Sequence, residues 1–545
     1  MPSITVSYQD LCGLLGRRVE KEKLCERLSM LGIEAEAAEE EIKLEISHNR
    51  PDLLSTEGVA RALKGFLRIE TGLPTYKTRP SGIRVDVDYS VKGIRPYIAA
   101  GVVEGAKLTD YVITSLMQVQ EKLHASLCRN RRVGSIGVYD LNAITPPLRY
   151  TTTLPDGIRF TPLEFNRQMT PAEILREHPK GIEYGSIIRD LPRYPLLIDA
   201  KDVVLSMPPI INNEETRVTE DTKALFIDVT GLDEVVINRT LNILMTSLAE
   251  RDFAIKSAVL KYPGRSTTTP NLRPKKFSLD TAAVNRIVGT SIRPKEVAKI
   301  AQAMRYGIVK ITGEIVKLLV PPYRGDIMHE IDVIEDMAIG YGYDNLEPTL
   351  PKVVTMGERA PIERLSDKAR RVLTGLGFTE LMTYTLTDPR TDFDLMRVKG
   401  ESAEIANPVS EEYTIVRSWL IPSLLSVLRG NRSNPLPQKI FELGDVVVLD
   451  AQSETGARNV RRLAGAAVGE GLGFTYIKAA VEALLRELGK EWEVRETRHP
   501  SFVDGRVAEL LVNGKKIGIV GDLHPEVILG FELEHPISTF EIDLE

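Results

Sequence analysis

Four carboxylates in the segment 321–344 are the side chains of this sequence best suited to chemistry. Asp332, Glu335 and Asp336 follow one another at helical spacing, and Asp326 comes shortly before them. At about 100° per residue the three helical side chains are predicted to share one face, which a loop carboxylate at Asp326 can join. Oxygen ligands of this kind suit Mg²⁺, which binds carboxylates and water. The alternative interpretation is an acidic, solvated helix face, which is common.

The usual phosphate-binding and hydrolase motifs do not occur in the sequence. There is no G-x-x-x-x-G-K-[ST], H-E-x-x-H or G-x-S-x-G segment. The glycine-rich stretch 469–473 is followed by Phe474 where a nucleotide-binding loop needs its third glycine, which favours a simple strand-to-helix turn. These motifs therefore identify no catalytic site in the chain.

The length, charge and cysteine content of the chain restrict its class. At 545 residues it exceeds a single hydrophobic core, and a typical domain size of about 150 residues predicts about three to four domains. The formal net charge of -6 argues against a protein that coats nucleic acid with a uniform positive field. The basic cluster of Arg129, Arg131 and Arg132 is either a phosphate contact or a solvated loop. Three cysteines without paired spacing, and no apolar run of ~20 residues, predict a cytoplasmic protein that does not enter a membrane.

Hydrophobic periodicity predicts a multi-domain protein of the α+β class. A helix is predicted over 55–67 with Ser55 as its N-cap. Polar segments with prolines at 71–81 and 266–274 are predicted to be linkers. Many short strands surround one clear helix, 477–488, near the end of the chain, which indicates an antiparallel sheet with flanking helices. The predicted domains are 1–82, 83–268, 269–350 and 351–545.

The acidic segment closely resembles the B5-domain signature of phenylalanyl-tRNA synthetase beta subunits. The resemblance extends over the whole string PPYRGDIMHEIDVIEDMAIGYGY, residues 321–343. In that family Mg²⁺ is bound at the positions that match Asp326, Asp332, Glu335 and Asp336. The resemblance therefore implies the same ion and the same ligands here, although Asp336 stands where some members carry a glutamate.

Further stretches resemble the same family in the same order along the chain. They are SHNRPDLLSTEGVAR at 47–61, LSMPPIIN at 205–212, IDVTG at 227–231, VRSWLIP at 416–422 and IFELG at 440–444. The resemblance implies a B1-like first domain, a B3/B4 editing-type domain, a small helical or winged B5 domain and an inactive, class II synthetase-like C-terminal domain. Because the chain stops after that domain, it resembles the shorter archaeal and eukaryotic type.

The resemblance also implies a division of work between two chains. In the family the alpha subunit binds ATP and phenylalanine and attaches phenylalanine to tRNA(Phe), while the beta subunit supports it in an alpha2beta2 tetramer. We therefore expect an alpha subunit and tRNA(Phe) as partners and no catalytic residue for aminoacylation in this chain. Tyr476 agrees with that expectation, since it stands where the third class II motif needs an arginine that contacts ATP. The alternative is a free-standing tRNA-binding or tRNA-editing protein without an alpha partner.

The B3/B4-like block is the part that hydrolyses tyrosine wrongly attached to tRNA in the family. A pocket that accepts phenylalanine cannot strongly exclude its hydroxylated analogue, so a second site must recognise the hydroxyl group. Polar side chains that hold the tyrosyl group and a water molecule would suffice, without a covalent nucleophile or a metal. The candidate residues are Ser206, Asp228 and Thr230, with Leu197 as an apolar neighbour. Alternatively, Ser206 ends a strand and Asp228 caps a turn before Gly231.

Overall fold

The computed structural model describes residues 1–351 and 353–544. The chain divides into two compact units, Met1–Leu350 and Pro351–Glu545. The first unit contains three sheets and the second contains two among the described residues. Each unit has its own buried apolar clusters.

The N-terminal segment of the first unit packs three helices against a small antiparallel sheet in the order β1-β3-β2. Alternating residues of β1 and β3 pair in register, Ile4 with Leu44 and Val6 with Ile42, and all four are buried. Helix α3 begins as predicted, because the Ser55 side chain accepts a hydrogen bond from the Gly58 backbone N–H. The elements are β1 (Ser3–Ser7), α1 (Tyr8–Leu15), α2 (Lys21–Met30), β2 (Glu34–Ala37), β3 (Glu41–Glu45) and α3 (Thr56–Phe66).

A ten-stranded mixed sheet forms the middle of the first unit. Its order is β10-β9-β8-β7-β4-β12-β5-β11-β6, with β13 paired to β12, and only the β12–β4 and β4–β7 pairs are parallel. Helix α7 packs on β5 and β11 through a long run of buried residues. The elements are β4 (Arg79–Val87), β5 (Tyr97–Glu104), α4 (Asp110–Ala125), β6 (Gly134–Asp140), β7 (Leu148–Thr153), α5 (Pro171–Glu177), α6 (Pro179–Tyr184), β8 (Tyr194–Ile198), β9 (Val204–Met207), β10 (Ile211–Asn212), β11 (Ala224–Gly231), α7 (Glu234–Ala249), β12 (Ala254–Tyr262) and β13 (Arg265–Thr269).

The last part of the first unit is a three-stranded antiparallel sheet, β14-β16-β15, with three helices. Helix α10 is amphipathic, with Val333, Ile334 and Met337 buried, whereas Ile331 is exposed although the periodicity places it on the apolar face. The elements are β14 (Lys275–Asp280), α8 (Thr281–Val288), α9 (Pro294–Ala303), β15 (Gly307–Thr312), β16 (Ile315–Val320) and α10 (Glu330–Tyr341).

The second unit is built on a seven-stranded sheet in the order β17-β20-β21-β25-β24-β23-β22. Every pair in it is antiparallel except β17–β20, and β18 and β19 form a separate two-stranded ribbon. Apolar clusters lie under α12 and under α11 with α13. The elements are α11 (Pro361–Gly375), β17 (Thr379–Leu381), β18 (Leu386–Thr387), β19 (Ile415–Val416), α12 (Ile421–Gly430), β20 (Gln438–Leu449), β21 (Ala457–Val468), α13 (Phe474–Glu487), β22 (Trp492–Glu496), β23 (Phe502–Val512), β24 (Lys515–Leu523), α14 (Pro525–Gly530) and β25 (Ile537–Asp543).

The architecture confirms the predicted α+β, multi-domain class. The prediction of a linker at 266–274 is wrong in its first half, because 266–269 belong to β13 and pair with β12, where three threonines suit an extended strand. The domain boundaries at 82, 268 and 350 stay predictions, and β4 and β13 run across the first two. Across residues 1–351 and 353–544, no helix has the length and apolar character needed to span a membrane.

Candidate functional site

A cleft of about 140 Å³, lined by both polar and apolar side chains, opens in the ten-stranded sheet. Tyr139 on β6, Ser206 on β9 and Asp228 on β11 line it together. The Tyr139 hydroxyl lies 2.8 Å from Ser206 Oγ and donates to Asp228 Oδ1 at 2.6 Å. Because β6 is one end of the sheet and β9 lies next to the other, these bonds join strands from opposite ends. The sheet therefore curls until its ends meet, and the cleft lies at that junction.

A second contact closes the same junction one strand further out. The Asn212 side chain on β10 donates to the Val138 carbonyl on β6 at 3.3 Å. The edge strands β10 and β6 would otherwise leave backbone groups without partners. The side-chain bridge satisfies one of these groups and leaves the cleft open beside it.

Burial changes the protonation of Asp228. The side chain is buried in the sheet, and this raises the pKa of Asp228 from 3.8 to about 7, although the Tyr139 hydrogen bond and the Arg95 charge oppose the change. Burial also raises the pKa of the Tyr139 hydroxyl well above its usual value. Tyr139 is therefore a neutral donor, whereas Asp228 exchanges a proton near neutral pH.

Gly137 leaves the space that this arrangement needs. It pairs with Asp228 across β6 and β11. A Cβ atom at Gly137 would lie 2.0 Å from the Tyr139 hydroxyl oxygen and 2.5 Å from Asp228 Oδ1. Neither distance is possible for real atoms, so any side chain at this position would separate Tyr139 from Asp228.

A buried arginine, Arg95, supports the floor of the cleft. Its guanidinium donates to Thr230 Oγ1 at 3.0 Å, to the Thr230 carbonyl at 2.8 Å and to Ser135 Oγ at 3.2 Å. Burial lowers the pKa of Arg95. The positive charge of Arg95 lowers the pKa of Asp228 from a distance. Among the described residues, no carboxylate lies within ion-pair distance of Arg95.

One wall of the cleft carries an ion pair. Arg131 donates to Glu121 at 2.8 Å and to the carbonyls of Pro209 and Ile210 at 3.3 and 3.0 Å. The hydrogen bond with His124 and the charge of Arg131 lower the pKa of Glu121 to about 2, against the effect of burial. Arg131 is buried, so the solvated-loop alternative is wrong for this residue, whereas Arg129 and Arg132 are exposed. A phosphate contact by the basic cluster stays a prediction.

The structure separates the four residues predicted for the pocket into two pairs. Ser206 and Asp228 line the cleft in the interior of their strands, so the alternative in which one ends a strand and the other caps a turn is wrong. Thr230 is fully buried beside them and bonds to Arg95 and Ser135. Leu197 pairs with Ser206 across β8 and β9 but packs in an apolar cluster.

Sequence reasoning missed Tyr139 and Gly137. Both lie in the short string Gly137-Val138-Tyr139, which is far from Ser206 and Asp228 along the chain. The alternation places both residues on one face of β6. It carries no information on how far the sheet curls, and so the contact with β9 is visible only in the fold.

The four acidic residues predicted for Mg²⁺ have different surroundings. The Arg324 guanidinium donates to both oxygens of Asp326 at 2.7–3.0 Å and lies 2.7 Å from Asp336, which also accepts from Tyr306. Asp332 accepts from the backbone N–H groups that precede α10, at 2.7 Å each. Glu335 is exposed, on the solvent side of the helix.

This arrangement does not fit a shared cation. Arg324 supplies the positive charge between Asp326 and Asp336, and Asp332 is engaged as a helix cap. Across residues 1–351 and 353–544, no group of three or more His, Cys, Asp or Glu side chains is placed to hold a metal. The magnesium site therefore stays a prediction of the sequence.

Four protein-family models match successive parts of the chain. They are the Phe-tRNA synthetase beta subunit B1 domain over residues 1–68, the B3/4 domain over 106–252, the tRNA synthetase B5 domain over 277–343 and the phenylalanyl tRNA synthetase beta chain CLM domain over 346–544. The cleft lies largely within the B3/4 match and the acidic helix within the B5 match. The matches define a subunit of an aminoacyl-tRNA synthetase.

Relatives that match the full length identify the particular family. A phenylalanine–tRNA ligase beta subunit from Archaeoglobus fulgidus is 45% identical over 100% of this chain and 98% of its own length. One from Methanothrix thermoacetophila is 43% identical over 100% of both chains. An N-terminal fragment of the phenylalanyl-tRNA synthetase beta subunit from Pyrococcus horikoshii covers 62% of this chain and 99% of its own length, at 39% identity and a TM-score of 0.60. The chain belongs to the phenylalanine–tRNA ligase beta-subunit family, which confirms the family predicted from its sequence.

Proposed function

We propose that this chain supports ATP-dependent attachment of phenylalanine to tRNA(Phe) by an alpha subunit, and that its own cleft hydrolyses tyrosyl-tRNA(Phe). The observation that carries the second part is the Tyr139–Ser206–Asp228 cluster, which is buried, polar and open to a cleft. The match to full-length beta subunits favours this role over a free-standing tRNA-binding or tRNA-editing protein. A cytoplasmic location follows from the role and is part of the proposal.

The chemistry of the cleft suits recognition of a phenolic hydroxyl group. A site that hydrogen-bonds a hydroxyl rejects an analogue without one far better than an apolar pocket rejects the extra group. Ser206 and Asp228 offer an oxygen acceptor and a carboxyl group that exchanges its proton near neutral pH. The hydroxyl group of tyrosine can hydrogen-bond to this cluster, whereas phenylalanine has no group that can.

Hydrolysis needs a water molecule held against the ester carbonyl. Asp228 can accept a proton when ionised, and its pKa of about 7 places that change in the useful range. Tyr139 fixes the carboxylate by its hydrogen bond. We assign Ser206 the role of binding the phenolic hydroxyl group, Asp228 that of orienting the water, and Tyr139 that of a positioning residue.

The test is deacylation of tyrosyl-tRNA(Phe) and phenylalanyl-tRNA(Phe) by the complex with its alpha subunit. The wild type should hydrolyse the tyrosyl ester preferentially. Ser206→Ala should lower that rate roughly tenfold, the value of about one hydrogen bond to a reacting group. The control is Ser126→Ala, whose hydroxyl bonds to the Lys122 carbonyl at the end of α4. Equal rates for both esters would reject the proposal.

An apolar surface of the second unit is proposed to bind the alpha subunit. Met382 and Tyr384 are 94% and 78% exposed, and the Tyr384 ring lies 5.8 Å from that of Tyr413. Large apolar side chains that gather on the surface mark interaction sites. Tyr384→Asp should prevent co-purification with the alpha subunit, whereas Leu529→Asp, at another exposed apolar position, should not. Light scattering of each complex also measures whether an alpha2beta2 tetramer forms.

Magnesium at Asp326, Asp332, Glu335 and Asp336 remains part of the proposal, supported by the acidic sequence pattern and by the resemblance of residues 321–343 to the B5 signature. No reaction step is assigned to the ion, because Arg324 neutralises two of the four carboxylates. Paramagnetic resonance of Mn²⁺ added to the complex provides the test. Loss of bound Mn²⁺ in Glu335→Gln would support the site, and identical binding by both proteins would reject it.

A further inference from the structure

A small cavity of about 20 Å³ lies where the N-terminal segment meets the last part of the first unit. Its charged walls are Arg50, Asp52, Arg61, Arg305 and Arg324, four cations and one anion. Helix α3 approaches this region closely, because a Cβ atom at Gly65 would lie 2.3 Å from the Ala303 carbonyl oxygen. The cavity therefore lies between closely packed elements, and its walls carry more arginine than carboxylate side chains.

Three polar atoms of residues that line this cavity have no hydrogen-bond partner among the described residues. They are Arg61 Nη2, Arg305 Nε and the Tyr323 hydroxyl, on residues that are 1%, 3% and 4% exposed. Each is a hydrogen-bond donor. Buried donors are nearly always paired, and an unpaired one costs about 1–3 kcal/mol. Three around one cavity indicate an acceptor that they share.

The charges of the surrounding arginines are unequally balanced. Arg50 is held by both oxygens of Asp52 at 2.9 Å, and Arg305 bonds to Glu70 at 3.0 Å. Arg61 differs, since among the described residues no carboxylate lies within ion-pair distance of it. Its guanidinium stacks on the Tyr323 ring at 3.5 Å and donates to the Tyr76 hydroxyl at 3.3 Å. The pKa of Arg61 is raised although burial opposes this, partly through the charges of Glu250 and Asp52, so Arg61 stays charged while its Nη2 donor has no partner.

We propose that this cavity binds one small monovalent anion, with chloride as the natural occupant. A water molecule accepts only two hydrogen bonds and brings two protons of its own into a cationic space. An anion accepts from all three donors and balances Arg61 as well. The volume matches a ligand of about the size of one water molecule and excludes phosphate or a larger carboxylate.

The anion stabilises the joint between two segments that are far apart in the sequence. Arg61 belongs to α3, while Arg305 and Tyr323 lie more than 200 residues later, near α9 and α10. A ligand that binds only the folded form raises its stability in proportion to the logarithm of its concentration. The inference concerns the stability of the first unit and does not depend on the proposed hydrolysis.

The direct test is diffraction from crystals of the complex grown with sodium bromide, at a wavelength where bromide scatters anomalously. We expect an anomalous peak within hydrogen-bonding distance of Arg61 Nη2 and the Tyr323 hydroxyl. Water density without an anomalous signal in the cavity, or a cavity with neither, would overturn the proposal.

A thermal test distinguishes the site from general salt effects. At equal sodium concentration, bromide should raise the unfolding midpoint of the first unit relative to gluconate by on the order of 2 °C at tenfold excess over its Kd. Tyr323→Phe keeps the ring that stacks on Arg61 and removes one donor, so several-fold more bromide should be needed. Tyr150→Phe removes a buried hydroxyl that bonds to the Arg95 carbonyl outside the cavity, and should keep the bromide response.

The unfolding midpoint of Tyr323→Phe also distinguishes a cavity that holds an anion from an empty one. Removing an unpaired buried hydroxyl from an empty cavity is neutral or stabilising. If the wild type has the same midpoint in bromide and gluconate, and Tyr323→Phe has an unchanged or higher midpoint in both salts, the cavity holds no anion. A wild-type bromide response that is weaker in Tyr323→Phe and unchanged in Tyr150→Phe supports the anion site.

Discussion

Two buried aspartates of the first unit, Asp228 and Asp52, show how one residue type serves opposite purposes. Both are about 1% exposed. Burial raises the pKa of Asp228 to about 7, because the Tyr139 hydrogen bond and the Arg95 charge oppose it only in part. Burial would also raise the pKa of Asp52, but the charge and hydrogen bonds of Arg50 outweigh it and lower that pKa. Asp228 can therefore exchange a proton near neutral pH, whereas Asp52 stays ionised in a structural ion pair.

The difference lies in the partner and not in the depth of burial. At Asp52 a guanidinium meets both carboxylate oxygens, which is the strong geometry for an ion pair. At Asp228 the partners are a neutral phenol and a distant charge. Asp326 and Asp336 are likewise paired with an arginine, Arg324. Asp228 in the cleft has a neutral partner instead. Substitutions in each region can therefore break or sharpen the contrast.

Arg324→Met is expected to have the largest effect. It removes the cation shared by Asp326 and Asp336 and leaves two carboxylates partly or fully buried without it. Breaking such a buried pair costs about 3–5 kcal/mol of unfolding free energy. The exposed pair of Arg149 and Asp202 supplies the control, since Arg149→Met should cost less than about 1 kcal/mol. Unfolding of both variants in urea measures the difference, and equal costs would contradict the structural role of Arg324.

The contribution of Asp228 to the stability of the wild type should fall as the pH rises from about 4 to about 7. Since the pKa of Asp228 is raised in the folded state, its contribution is complete below about pH 4 and is lost as the pH rises through about 7. The slope approaches roughly 1.4 kcal/mol per pH unit between these limits. Asp228→Asn removes the titrating group and should lack this slope. Parallel stability curves for the two proteins from pH 4 to pH 8 would show that Asp228 is ionised throughout.

Gly137→Ala should have a smaller effect on stability and a selective effect on the cleft. The added methyl group occupies the space of the Tyr139 hydroxyl, and such overpacking costs about 1–3 kcal/mol. Tyrosyl-tRNA deacylation should decrease while aminoacylation by the complex continues. Gly93→Ala provides the control, since a Cβ atom there meets no other atom within 4 Å. A Gly137→Ala variant with normal deacylation would show that the Tyr139–Asp228 contact is dispensable.

The sequence predicts local structure and family well and predicts side-chain partners poorly. The N-cap at Ser55 and the helix after it follow from short-range hydrogen bonding, and both are confirmed. Ser206 and Asp228 were found through the family resemblance, and the fold places both in one cleft. Tyr139 was missed because its contact depends on how far a ten-stranded sheet curls. Helical periodicity likewise grouped Glu335 with Asp336, although one is exposed and the other faces Arg324.

The pH dependence of tyrosyl-tRNA(Phe) deacylation tests the central claim that Asp228 is the titrating group of the cleft. The rate should be measured from pH 5 to pH 9 in single turnover, for the wild type and for Asp228→Asn in complex with the alpha subunit. We predict a change of slope near pH 7 in the wild type, and in the variant a rate roughly 100-fold lower without that change. A variant that retains both the rate and the change near pH 7 would contradict the account.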